Sequence, residues 1–130
     1  MPLARISLRR GKPAQYRRLI LEGLYLAMRD TFDVPEDDRF MTIAECDDDN
    51  FSYGASYLGI DRSLDLVIIQ LTVSRGRTIE QKKALYLAIV ERLVDRPGLR
   101  PEDVFINLVE VERENWSFGH GIAQYAAVAA

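Results

Sequence analysis

Leu66, Val67, Ile68, Ile69, Leu71 and Val73 crowd into the longest apolar run of the chain. A run that continuous and β-branched predicts an interior strand rather than a half-solvated edge. Shorter runs predict three more strands, over residues 3–8, 40–46 and 104–111. From Pro13, a residue suited to the first helical position, Tyr16, Leu19, Ile20, Leu24, Ala27, Met28 and Phe32 recur every three or four residues. Arg17, Arg18, Glu22, Arg29 and Asp30 fall between them, so this segment reads as an amphipathic helix of about four to five turns. Pro35 breaks it, because the residue before a proline avoids the helical region. Thr78 and Gln81 have the spacing of a capping box, which opens a second helix running to about Asp95. Its stripe of Leu85, Ala88, Ile89 and Leu93 is widened by Tyr86, Leu87 and Val90. An apolar arc this broad points to partial cover by another subunit. Arg96-Pro97-Gly98 ends the helix, residues 47–50 read as an acidic loop, residues 51–62 as loop or a short hairpin, and residues 126–130 as a frayed tail.

The elements come in two similar sets. With an offset of 65, Arg10-Gly11-Lys12 falls on Arg75-Gly76-Arg77, and Ile43-Ala44-Glu45 on Leu108-Val109-Glu110. With one residue of slippage, Pro35-Glu36-Asp37 falls on Pro101-Glu102-Asp103. A single domain over residues 1–130 therefore contains two strand-helix-strand repeats, about 2–47 and 66–112. Units of this size favour parallel strands joined by a right-handed crossover. Pro2 corresponds to Val67, so the chemistry of a terminal proline is confined to one copy.

Charge and composition narrow the function. Seventeen Lys and Arg against twenty Asp and Glu give a net charge of −3, which argues against a nucleic-acid groove or a polybasic membrane patch and for a small-molecule partner. The single cysteine, Cys46, rules out an internal disulfide. No signal-peptide core or bilayer-length apolar run occurs, so the expected location is cytoplasmic. Cys46 and the lone His120 lack zinc-ligand spacing, and Gly54, Gly59 and Gly76 form neither a dinucleotide fingerprint nor a P-loop. No metal and no cofactor is expected.

Arg75 and Arg77 follow the interior strand and precede a helix N-terminus, a junction that favours an anion. Read as extended backbone, their spacing puts both on one side, and two guanidinium forks suit a carboxylate; a solvated charge pair is the alternative. Asp38 is one of three acids in the proline turn, either decorating it or serving a site. Trp116 and Phe118 fit a core, a pocket wall or a subunit seam. Pro2 offers a basic secondary amine only where Met1 has been removed.

Pro2-Leu3, Val34-Pro35-Glu36 with Asp38-Arg39, Leu58-Gly59-Ile60 with Arg62-Ser63, Arg75 with Arg77, Glu80-Gln81-Lys82, and Trp116-Ser117-Phe118-Gly119 with Ala123-Gln124 occur in this order along nearly the whole chain. In this the sequence resembles the tautomerase superfamily, and within it the malonate semialdehyde decarboxylase group. The resemblance implies an α+β fold: duplicated β-α-β units forming a four-stranded mixed sheet with two helices on one face, assembled as a homotrimer. It also implies a cofactor-independent decarboxylase of a small 3-oxo acid. Pro2, Asp38, Arg75 and Arg77 would be catalytic, Arg75 and Arg77 would hold the substrate carboxylate, and Trp116 and Phe118 would line the pocket. A keto-enol tautomerase or a hydratase of small 2-oxo or unsaturated acids is the alternative within the family, and a non-catalytic trimeric binding protein the alternative outside it. The segment 51–57, His120 and Tyr125 depart from the decarboxylase pattern.

Overall fold

The computed structural model describes residues 2–126. In chain order the main elements are β1 (Pro2–Arg9), α1 (Ala14–Phe32), β2 (Phe40–Cys46), β3 (Val67–Ser74), α2 (Ile79–Asp95) and β4 (Val104–Val111). The four strands form one sheet in the order β2-β1-β3-β4. Within each repeat the strands are parallel, and the repeats join through the antiparallel pair of β1 and β3. The long apolar run is thus an interior strand, as its composition predicts. Both helices pack on one face of the sheet, where Ala4, Ile6 and Leu8 meet Val67, Ile69, Leu71 and Val73 together with Ile20, Leu24, Met28, Leu85, Ile89 and Leu93. Gly23 allows the helices to approach closely: a Cβ there would lie 3.0 Å from the Leu93 side chain.

The offset of 65 persists in three dimensions. It carries the bounds of β1 onto those of β3, the start of α1 onto that of α2, and the end of β2 onto that of β4. The parallel registers match as well, with Leu3 beside Phe40 and Val67 beside Val104, each a separation of 37. Even the short 3-10 turns Asp48–Asn50 and Arg113–Asn115 are copies.

Some local expectations change. Pro13 is the N-cap of α1 rather than its first helical residue. Thr78 and Gln81 do form the capping box of α2. Residues 51–62 contain no strand; the segment folds around Arg62, whose Nη1 donates to the carbonyls of Gly54, Tyr57 and Ile60. Ala126 is not frayed, since its N–H donates to the Ala123 carbonyl at 3.0 Å, and the rest of the expected frayed tail lies outside the described residues. Among the described residues no helix is long and apolar enough to cross a membrane.

Candidate active site

Strand directions gather the candidate residues. β1 begins where β3 ends, with Pro2 opposite Val73. β2 begins alongside β1, with Phe40 beside Leu3, so Asp38 arrives two residues before that contact. β4 runs parallel to β3 and ends at the same edge, with Val111 beside Ser74. One end of the sheet therefore brings together Pro2, Asp38, the Arg75-Gly76-Arg77 turn and the segment after β4.

Pro2 is buried in phase with Ala4, Ile6 and Leu8. Asp38 sits in a turn anchored to α1: the Asp37 N–H donates to the Tyr25 hydroxyl at 3.1 Å, the Asp38 N–H donates to the Pro35 carbonyl at 3.1 Å, and the Arg39 guanidinium lies 4.8 Å over the Tyr25 ring. Burial raises the Asp38 pKa above the usual aspartate value, against the opposing positive charges of the chain's amino end and of Arg77. Asp38 thus lies within electrostatic reach of Arg77.

The arginines part company, contrary to the reading of their spacing. β3 ends at Ser74, and Gly76 has φ +130°, a conformation open to glycine that turns the chain between the two side chains. Arg77 folds inward: Nη1 donates to the Ser74 carbonyl at 3.2 Å, Nη2 to the Phe32 carbonyl at 3.1 Å, and the guanidinium lies 4.7 Å over the Phe32 ring. It therefore satisfies the last turn of α1 while its charge faces Asp38. Arg75 points outward, its Nε donating to Glu112 Oε1 at 2.6 Å.

Trp116 donates from Nε1 to the buried Ser74 hydroxyl at 3.0 Å and stacks on Phe118 at 5.6 Å between ring centroids. Tyr125 meets Phe118 edge-on at 4.9 Å. Gln124 holds this loop closed, accepting from the Phe118 N–H and donating to the Gly119 carbonyl. Trp116 and Phe118 line a cavity of about 430 Å³ with Leu3, Phe40, Thr72 and Val111, on the sheet face away from the helices. Pro2, Asp38, Arg75 and Arg77 are not part of its lining, so the aromatic wall and the polar group occupy two sides of the same sheet end. The Tyr125 pKa is raised by burial and then by the Asp38 charge. His120 is exposed.

The opposite end of the sheet is the internal copy of this one. Arg10–Asp47 at 2.8 Å matches Arg75–Glu112, and Arg17–Glu45 at 3.1 Å matches Lys82–Glu110 at 2.9 Å. Phe51-Ser52-Tyr53-Gly54 matches Trp116-Ser117-Phe118-Gly119. The slipped alignment sets Asp103 on Asp37, but the offset of 65 that the strands keep sets it on Asp38; Asp103 is fully buried and accepts from the Ser63 N–H at 2.8 Å and the Ser63 hydroxyl at 2.6 Å. Lys12, the counterpart of Arg77, pairs with Asp65 at 2.8 Å. The connector between the repeats thus fills that end, and Val67 stands in place of Pro2.

Tyr25, Ser74 and Glu112 were not singled out in the sequence, and Gln124 was noted only as part of the motif that carries the resemblance. Glu112 was within reach, because Asp47 stands at its counterpart. Tyr25 fell outside the three-to-four stripe that predicts the helix, yet it is buried at 7% exposure.

The chain belongs to the tautomerase family: a family model described as tautomerase enzyme matches residues 38–119, and a second of the same description matches residues 2–59. It is an enzyme of the tautomerase superfamily. The probable tautomerase YusQ of Bacillus subtilis (strain 168) is 40% identical over 95% of this chain and 98% of its own, and the probable tautomerase YrdN of the same organism is 31% identical over 96% of each. Among solved structures, a malonate semialdehyde decarboxylase studied for its decarboxylase and hydratase activities superposes with a TM-score of 0.89 at 32% identity, over 95% of both chains. The FG41 malonate semialdehyde decarboxylase inhibited by 3-bromopropiolate gives 0.89 at 36% identity, over 95% of this chain and 93% of that one.

Proposed function

We propose that this protein is a cofactor-independent decarboxylase of a short 3-oxo acid such as malonate semialdehyde, acting as a homotrimer. The observation that supports the reading is the gathering of Pro2, Asp38 and the Arg75-Gly76-Arg77 turn at one end of the sheet, within a fold that superposes on two malonate semialdehyde decarboxylases over nearly its whole length. With Met1 removed, Pro2 is a secondary ammonium that Asp38 holds in its charged form. Protonated Pro2 donates a hydrogen bond to the substrate's 3-oxo oxygen. The bond between C2 and the carboxylate carbon then breaks, its electron pair moves into the C2–C3 enolate, and carbon dioxide leaves. Protonation at C2 yields the aldehyde. Arg77 and Arg75 orient the departing carboxylate so that the breaking bond aligns with the carbonyl π system.

The second reading, a keto-enol tautomerase, is favoured by the identity to YusQ. The charge on Pro2 separates the two, because a tautomerase needs a neutral proline as base and the decarboxylase a protonated one as acid. Model α-amino groups titrate at about 7.7–8.0, and a nearby carboxylate raises such values. In mass-verified, Met-free protein, ¹⁵N titration of Pro2 is expected to give a value above that range, together with carbon dioxide release from a 3-oxo acid. A value clearly below 7, with turnover of 2-oxo acids only, would sink the decarboxylase in favour of the tautomerase.

A further inference from the structure

Arg75 is already engaged by carboxylates of its own chain. Glu112 Oε1 takes its Nε–H at 2.6 Å, with the two side chains 60% and 58% exposed, and Glu110 adds a second negative charge nearby. Glu110 is itself held by Lys82 at 2.9 Å and by the Gly76 N–H. Two cations and two acids thus make the rim locally neutral. A guanidinium has five N–H donors, and the contact to Glu112 uses the Nε side of the fork. An arriving carboxylate on Arg75 therefore either lies beside the Glu112 carboxylate or displaces it.

The geometry points to Glu112 as a specificity-determining residue, one that admits short monoanionic acids to Arg75 and disfavours dianionic ones. This rests on the reading that Arg75 receives the substrate's carboxylate. Like charges about 5 Å apart in water repel by about 1 kcal/mol, or about fivefold in affinity, and a second charge on the ligand adds a comparable penalty. The ion pair alone does not establish this, because the internal copy carries the same strut, Arg10–Asp47 at 2.8 Å, where Val67 replaces Pro2. The copy therefore supplies the control.

The test is NMR titration of the whole protein with propionate and with malonate, as unreactive mono- and dianionic probes, for wild type, Glu112→Gln, Arg75→Ala and Asp47→Asn. Wild type is expected to favour propionate. Glu112→Gln is expected to tighten malonate about three- to fivefold more than propionate, and to lower KM for a 3-oxo monoacid with kcat unchanged. Arg75→Ala should weaken both probes, and Asp47→Asn should shift neither. If Arg75→Ala weakens both while Glu112→Gln changes neither, Glu112 is only a strut and the proposal falls. Asp47→Asn reproducing the Glu112→Gln pattern would also overturn it, since the effect would then be one of net charge. Arg75→Ala changing neither probe would remove Arg75 from the substrate and take the inference with it.

Discussion

Asp38, the carboxylate of the proposed site, carries a stability cost where it is ionised. Burial pushes its pKa up, only partly opposed by the amino end of the chain and Arg77, so the folded protein keeps a proton that the unfolded chain has already released. The folded state then binds more protons than the unfolded state, and this group's contribution falls as pH rises through the window from the ordinary aspartate value to the raised one. Asp38→Asn is therefore expected to melt higher than wild type at pH 7. The difference should vanish near about pH 3, where both forms are neutral, while turnover is lost at every pH. An Asn variant that melts lower than wild type at pH 7 would show that the ionised carboxylate stabilises the fold. Under the proposed function Tyr25 would act one step back, as a positioning residue: its hydroxyl accepts the Asp37 N–H at the base of the turn. Tyr25→Phe should lower stability by about 1 kcal/mol and reduce kcat more than it raises KM, because Asp38 stays present but is less well placed. Thermal melts and initial rates check both; an unchanged kcat would mean that the turn holds its shape without the phenol.

At the scale of elements, the two arginines separate by what each does for the secondary structure. Arg77 meets the last carbonyl of α1 and covers the Phe32 ring, so Arg77→Ala should destabilise the fold by about 1–3 kcal/mol as well as raise KM. Arg75 is an exposed partner of Glu112, and Arg75→Ala should stay within about 1 kcal/mol of wild-type stability while raising KM. Denaturant melts of the two variants side by side distinguish these roles; equal losses would contradict the division. Strands and helices were legible because a continuous β-branched run reports an interior strand and three-to-four spacing reports the buried face of a helix, as β3 and α1 show. The divergence of Arg75 and Arg77 was not legible, because strand alternation was extended beyond Ser74 into a turn where Gly76 adopts φ +130°. The duplication was legible in Arg10-Gly11-Lys12 and Arg75-Gly76-Arg77, but its extension to Phe51-Ser52-Tyr53-Gly54 and Trp116-Ser117-Phe118-Gly119 was missed: the two aromatic positions keep side-chain class without identity, and only Ser and Gly are the same. The Tyr25 hydrogen bond left no trace, since the residue lies outside the three-to-four stripe and spacing does not report which buried hydroxyl meets a turn.

At the scale of the whole molecule, the helices cover one face of the sheet and leave the other open. That face carries Leu3, Ile68 and Val109 together with Phe40 and Phe105, which are 49% and 46% exposed. The chain exposes 8017 Å² for 14.8 kDa, whereas a compact monomer of that mass exposes about 7,000 Å². The excess, about 1,000 Å², is on the order of the area one chain contributes to a specific interface. A ring assembly needs two patches per chain, because each subunit touches one neighbour with one surface and the next with another. The internal duplication supplies two patches of like shape, Leu3 with Phe40 at one end of the sheet and Ile68 with Phe105 at the other. Leu87 on α2 remains 59% exposed, but the open sheet face is the broader apolar surface, so under the proposed trimer the sheet face is the expected contact. Sedimentation at micromolar concentration is expected to give a trimer, and a monomer or dimer would count against it. Phe105→Lys places a charge in one patch, remote from Pro2, Asp38 and Arg77, and should shift the protein toward monomer with its circular dichroism unchanged. A Phe105→Lys protein that remains a trimer of wild-type stability would place the subunit contact elsewhere than on the open face.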